Sequence, residues 1–542
     1  MRLTFTLPES RGAATLNVEI DHLVIAGWTG RDREAILHHI RELAELGVPQ
    51  PSAIPLFYRV AANQLSQQET IEVIGNATSG EAEPLIFAHR GELFVSLASD
   101  HTDRQLEAHS VALSKQICVK PVARAAWPLQ EVLEHWDSLI LRSWIKEEGE
   151  WRLYQQGSLA ALRTPGDLLE RYFTAQLTAA ALAQIADERG EGARAFTRTY
   201  AEWAQRQAQA SDRRRAAGSP LSALDGVPVS IKDLFDVAGE VTTAGSRVLA
   251  DAPPAEKHAA VVERLLQAGA VVVGKTTMTE FAYSGLGINP HYGTPANPWE
   301  RQAARIPGGS SSGAAVAVAD GMCLAAVGTD TGGSVRIPAA LCGLTGFKPS
   351  ASRINQAGTL PLSAALDSIG VIAHDVRSCW LLDSVIADRP LQLTERDITR
   401  AHFAIPQTRV LDGLDLAVSQ AWHHALAQLR AQGATLTELP LSELAELETM
   451  NARGGITAWE AWQWHQSLLQ SHAAGYDPQV RMRIERGALL NEADAQLLYQ
   501  QRADWRQRVE QAVAPFDGLL LPTVPLIAPT IAELDDPERY RQ

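Results

Sequence analysis

Two hydroxyl-bearing, glycine-rich turns flank a short apolar stretch: Pro307-Gly-Gly-Ser-Ser-Ser-Gly313 and Gly328-Thr-Asp-Thr-Gly-Gly-Ser334-Val-Arg-Ile-Pro338. Turns with so few side chains let backbone approach a substrate carbonyl closely, so serines placed there suit acyl transfer. Successive amide N–H groups at Thr331, Gly332, Gly333 and Ser334 would face a developing oxyanion, an interaction worth about 3–4 kcal/mol per donor in comparable sites. A serine nucleophile needs a base, and none of the 15 histidines falls in either turn. Lys232 is the better candidate. It closes the apolar run Val227-Pro-Val-Ser-Ile231, and burial at a strand end would lower its pKa from about 10.4 toward neutrality and make it a base.

The segments around these residues alternate in the manner of an α/β core. Val227–Ile231 reads as a strand, His258–Gln267 as a helix stopped by Gly269, and Ala270–Val273 as a buried strand. Leu416–Arg430, stopped by Gly433 and followed by Ala434–Leu439, repeats the idea, and residues 375–511 read as mostly helical. A Gly-Gly-Ser turn alone is usually a loop or a helix cap, and Gly308–Gly313 could also cradle a phosphate. The phosphate reading lacks the closing Gly-Lys-Ser/Thr.

Three motifs in order, Gly226-Val-Pro-Val-Ser-Ile-Lys-Asp-Leu-Phe-Asp236, the Gly-Gly-Ser-Ser-Ser-Gly turn, and Gly-Thr-Asp-Thr-Gly-Gly-Ser-Val-Arg-Ile-Pro-Ala339, resemble the amidase signature family. Supporting matches are Gly274-Lys-Thr-Thr-Met-Thr-Glu-Phe281, Gly343-Leu-Thr-Gly-Phe-Lys-Pro349 and Leu366-Asp-Ser-Ile-Gly370. The resemblance implies a mixed β-sheet flanked by helices over residues 173–542 and a Ser-Ser-Lys triad. Ser334 would be the nucleophile, Ser310 the bridging serine in a cis peptide and Lys232 the neutral base, with no cofactor. Ser311 would help orient the hydroxyls. Asp330 and Arg336 flank the nucleophile turn and are expected to pair and fix it, since a buried Arg without a carboxylate would be costly. The substrate would be a small-molecule amide, cleaved to an acid and ammonia or an amine. Trp459, Trp462, Trp464 and His465 could line the acyl pocket, although aromatics at helical spacing are more often core.

Residues 1–172 lie outside that core and read as a β-rich domain, with strands at Glu69–Gly75 and Leu93–Leu97. Glu81 and Glu83 alternate on one strand face and Asp100 follows the next strand, a set of carboxylates that could hold Mg²⁺. Continued through Lys115-Gln-Ile-Cys-Val-Lys-Pro121, the order is similar to the fumarylacetoacetate hydrolase superfamily, which would make Glu81, Glu83 and Asp100 metal ligands, Lys115 a substrate-facing cation and a homodimer the assembly.

The charge sum, 48 basic against 63 acidic residues for a net −15, argues against a nucleic-acid partner. Four scattered cysteines without CxxC spacing, no signal-like leader and no long apolar run give the expectation of a cytoplasmic protein with no membrane association. Gly518-Leu-Leu-Leu-Pro-Thr-Val-Pro525 is expected to add a late strand to the core sheet, and the chain then stops at Gln542, short of the family's usual extent. Two rival readings stand beside the hydrolase: an amidotransferase-like subunit delivering ammonia to a partner, and a non-catalytic scaffold with an incomplete core.

Overall fold

The computed structural model describes residues 1–8, 14–20, 23–45, 51, 54–73, 77–90, 92–107, 110–147, 149–387, 389, 391–392 and 396–536. The chain divides into two compact units, Met1–Phe173 and Thr174–Gln542. Among the described residues, no helix is long and apolar enough to cross a membrane.

The second unit is organised by a six-stranded mixed sheet. Its order is Phe196–Thr199, Val271–Thr276, Pro228–Lys232, Ala325–Asp330, Ser368–Ala373 and Thr345–Phe347. The three strands Val271–Thr276, Pro228–Lys232 and Ala325–Asp330 run parallel, and the flanking ones antiparallel. Every residue of Pro228–Lys232, Val271–Thr276, Ala325–Asp330 and Ser368–Ala373 is buried. Such strands read as continuous apolar runs because both faces are covered. One face packs on the helix Ala260–Gln267, with Val261, Val262 and Leu265 turned inward. The other is covered by the helix Ser312–Ala319, whose Ala and Val side chains are buried to the last residue but one. In open α/β sheets, ligands gather beyond the carboxyl ends of parallel strands. Pairing of Ile231 with Val327 brings Lys232 and the turn after Asp330 to that shared edge.

Helix Ser312–Ala319 can lie this close only because Gly313 has no Cβ. A Cβ there would stand 2.2 Å from the Ala195 carbonyl oxygen and 2.7 Å from the Thr277 nitrogen, both backbone atoms that cannot swing aside.

A separate three-stranded parallel sheet contains Thr435–Leu439, His402–Pro406 and Gly518–Leu519. The late strand at Gly518 therefore joins this small sheet and not the six-stranded one, because it pairs with Phe403 and Ala404. Within residues 375–511, expected to be mostly helical, His402–Pro406 is a strand, as is Thr435–Leu439, which follows its helix as expected. Helices Val376–Ile386, Leu416–Ala431, Glu443–Asn451, Gly455–His472, Pro478–Glu485 and Glu492–Val513 supply most of the remainder.

The first unit is assembled from short pairs. Arg2–Thr6 pairs with Thr15–Glu19, Leu23–Gly27 with Leu56–Val60, Glu83–His89 with Glu92–Ala98, and Ile140–Glu147 with Glu150–Ser158, all antiparallel. Phe5, Phe87 and Phe94 stack at its centre, with ring centroids 4.3 and 5.5 Å apart. The strand expected at Glu69–Gly75 does not form over residues 69–73, and residues 74 and 75 lie outside the described residues.

Gly313→Ala is expected to destabilise the second unit by more than about 2 kcal/mol, as overpacking against fixed backbone does. A urea unfolding series beside the parent chain, read as a shift in midpoint at constant slope, checks it.

Candidate active site

Lys232 ends its strand fully enclosed, with no exposed surface. Its Nζ donates to Ser310 Oγ at 2.7 Å and to Thr329 Oγ1 at 3.0 Å. Among the described residues no carboxylate is in ion-pair contact with it. Desolvation therefore dominates and pushes Lys232 down to about 7, against the weaker opposing pull of Asp367 and Asp330. A second buried lysine, Lys275, on the neighbouring strand, is turned elsewhere: its Nζ lies 3.9 Å from Asp233 and near the Val241 carbonyl. Of the two, Lys232 is the one that reaches the serine turns.

Ser310 follows a cis peptide from Gly309 and is fully buried. Its carbonyl accepts from the Thr279 amide at 3.0 Å, and the next amide, Ser311 N–H, donates to the Ser334 carbonyl at 3.1 Å. The two glycine-rich turns are thus tied to each other through backbone. Ser311 Oγ is directed to the Thr329 carbonyl at 3.5 Å, and Ser312 Oγ to that of Thr277 at the same distance. Ser334 retains 7% exposure where Lys232 and Ser310 have none. Of these three groups it is the one a ligand can reach.

Asp330 and Arg336 pair as expected, Nε at 3.0 Å and Nη2 at 2.9 Å from the two carboxylate oxygens. Asp330 does more than neutralise the Arg. It also accepts from the amides of Gly333 at 2.7 Å, Val335 at 3.1 Å and Arg336 at 3.3 Å. Burial works against its charge, yet the guanidinium and these amides hold its carboxyl below the usual range. The expected row of oxyanion donors is corrected accordingly: the N–H of Gly333 is already committed to Asp330. Among the described residues, Thr331, Gly332 and Ser334 keep amide N–H groups without a hydrogen-bond partner.

Asp367 and Thr329 had no assigned role in the sequence pattern, although Asp367 stands in the Leu366–Gly370 motif. Asp367 accepts from Thr331 Oγ1 and from the amides of Leu362 and Ser363 at 2.9 and 3.1 Å. It thereby fixes the start of the turn that carries Ser334. Glu460, from the helix Gly455–His472, holds the same loop through Ser363 Oγ and the Ala365 amide. Three of the four aromatic residues expected at the pocket, Trp462, Trp464 and His465, serve the interior, and Trp459 is half-buried outside the core clusters. His465 is 1% exposed, stacks edge-on against Phe281 at 4.3 Å, bonds Tyr476 and is driven by burial down to about 3, so it stays neutral. Trp462 and Trp464 pack on the main core.

The carboxylates of the first unit do not form the expected Mg²⁺ ligand set. A hard divalent cation needs several free oxygens, whereas Asp100 carries an ammonium on each one: Lys115 on Oδ2 and Lys120 on Oδ1 at 3.0 Å. Glu81, which precedes the strand, pairs with Arg104 at 2.7 Å. Glu83 lies beside Asp100, and burial together with that charge pushes it up to about 8. Among the described residues, no three His, Cys, Asp or Glu side chains group to hold a metal ion.

The family description "Amidase" matches residues 176–542. The chain belongs to the amidase family. It is 36% identical over 399 residues to a glutamyl-tRNA(Gln) amidotransferase subunit of Chloroflexus aggregans, covering 67% of this chain and 81% of that protein. It is 34% identical over 379 residues to 2-amino-5-chloromuconic acid deaminase of Comamonas testosteroni, covering 67% and 80%. Among solved structures, an amidase superposes with a TM-score of 0.62 at 34% identity, covering 67% of this chain and 83% of that one. As an amidase-family protein the chain is an enzyme acting on amide carbon–nitrogen bonds. Residues 26–196 match a family of unknown function, DUF2848, and the fumarylacetoacetate hydrolase resemblance finds no support there.

Replacing Asp330 with Ala is expected to release three amides and a half-exposed guanidinium together. Chemical denaturation is expected to read a loss of about 1–3 kcal/mol, and turnover is expected to fall at least about tenfold as the turn loosens.

Proposed function

We propose that the enzyme hydrolyses a small-molecule carboxylic amide through an acyl-enzyme on Ser334, with Ser310 and Lys232 as the proton relay. The observation that carries this reading is the contact of an enclosed Lys232 Nζ with Ser310 Oγ at 2.7 Å in a setting that favours the neutral amine. Ser334 Oγ attacks the carbonyl carbon, and its proton passes to Ser310 as the Ser310 proton passes to Lys232. The oxyanion so formed is stabilised by the uncommitted amides of the turn at Thr331, Gly332 and Ser334. Collapse breaks the carbon–nitrogen bond, and the proton returns along the same path to the departing ammonia or amine. Water then attacks the ester carbonyl, giving its proton to the relay, and the acid leaves as Ser334 Oγ is reprotonated. Each half-reaction returns the relay to its starting charge, so no metal or other cofactor is required. Four buried, unpaired cysteines suit a reducing compartment such as the cytoplasm.

A second reading rests on the 36% identity to an amidotransferase component: the ammonia would be handed to a partner instead of released. Free ammonia formed by the chain on its own decides for the hydrolase; turnover seen only in a stable binary complex decides for ammonia transfer.

Three outcomes are expected from ammonia release measured over a panel of aliphatic and aromatic amides. Ser334→Ala and Lys232→Ala abolish turnover while circular dichroism shows the fold retained; activity surviving in either would overturn the relay. EDTA leaves the rate unchanged. The pH profile of kcat/KM in the parent chain rises through about 7: below that value Lys232 is protonated and cannot accept, above it the amine is free.

A further inference from the structure

The first unit contains a cavity of about 610 Å³, within the range of small-molecule sites. Its wall is mostly apolar, with Ile25, Phe57, Phe87 and Leu168 among its lining, while Glu83, Asp100, Lys120, Trp136, Arg163 and the exposed Glu19 bring polar groups to it.

Its wall carries two unfilled donors beside one unfilled acceptor, Asp100 Oδ1. Lys120 is 2% exposed. One of the three N–H directions of its ammonium is taken by the His101 carbonyl, while Asp100 Oδ1 stands 3.0 Å away as an ion pair without a hydrogen bond, which leaves donor capacity for the cavity Lys120 lines. The indole N–H of Trp136, a residue 4% exposed, and Nε of Arg163 are buried with no hydrogen-bond partner. Buried donors are almost always satisfied in folded proteins, so two orphans on residues lining one cavity call for an acceptor. The charges around the cavity come close to cancelling once Glu19 is included, so the orphaned donors and not a net positive field carry the case. Asp100 is outnumbered by Lys115 and Lys120, Arg163 is offset by Asp167 at 3.1 Å, and Glu83, pushed up to about 8, is protonated at neutral pH and adds a further donor. Lys115, the lysine expected to face a substrate, is not among the lining residues; it is held by Asp100 and lies 5.5 Å from the Tyr58 ring centre.

We propose that this cavity is a binding site, separate from the amidase site, for a small organic acid with an apolar body, whose carboxylate is received by the N–H groups of Lys120, Trp136 and Arg163. Organic acids are also the class of product that amide hydrolysis yields. That link rests on the function proposed above; binding to the cavity does not.

Titration calorimetry of the full chain at pH 7 with hexanoate and phenylacetate tests it. Hexan-1-ol serves as the neutral control of similar length. Lys120→Met removes the cation, and Ala98→Phe narrows the cavity without touching any charge. The expected result is saturable binding of one acid per chain that hexan-1-ol does not reproduce, weakened at least about tenfold in each variant that circular dichroism shows to be folded. Should Lys120→Met fail to fold, Ala98→Phe alone decides. No saturable heat with either acid, equal binding of hexan-1-ol, or unchanged affinity in a folded variant would overturn the proposal. Because binding is read without turnover, a negative result here and a loss of the Ser334 relay are separately visible.

Discussion

A lysine side chain sealed in a dry interior, with a serine hydroxyl at 2.7 Å and no carboxylate in contact, is the constraint around which the second unit is arranged. An ammonium at this depth would be heavily penalised by desolvation, and an ion-pair partner would relieve that penalty at the cost of locking the proton on. The fold supplies hydroxyls instead, from Ser310 and Thr329. To do so it sets Lys232 between two parallel strands and covers them with a helix of small residues. The empty space at Gly313 is part of the same arrangement: it lets the helix bring the Ser310 turn down onto the strand ends.

Asp330 performs the complementary task at the Ser334 turn. One enclosed carboxylate accepts three amides and a forked guanidinium, so the backbone from Gly333 to Arg336 has little freedom. Asp367 and Glu460 fasten the opposite flank through Thr331 and the loop at residues 362–365. Hydrogen-bond donors that are held in place before reaction need no reorganisation when charge develops, which is where most electrostatic catalysis arises.

The chemistry-bearing motifs were legible because each is dense in residues that have few structural uses together: Lys232 at the end of an apolar strand, the serines among glycines, and the Asp330–Arg336 pair. What remained hidden depends on distance through space. Asp367 reaches Thr331 across 36 positions of sequence, and no spacing rule reports such a contact. The commitment of the Gly333 amide to Asp330 was equally invisible, since sequence shows that a donor exists and not who has claimed it. In the first unit, alternation placed Glu81 and Glu83 on one face but could not show that Lys115 and Lys120 would converge on Asp100 and do electrostatically what a cation was expected to do. Gly518–Leu519 read correctly as a strand, but its partner was misassigned because pairing is decided by tertiary placement.

The enclosure of Lys232 has one more consequence. An acceptor with no exposed surface is screened from bulk solvent and buffer, so in the proposed relay the proton drawn from Ser334 is held inside the site until it is handed on. In that relay the leaving nitrogen is protonated from the enclosed pair of Ser310 and Lys232 and not by buffer. Water enters the exchange within the same turnover, when the hydrolytic molecule that cleaves the ester gives its own proton to the pair.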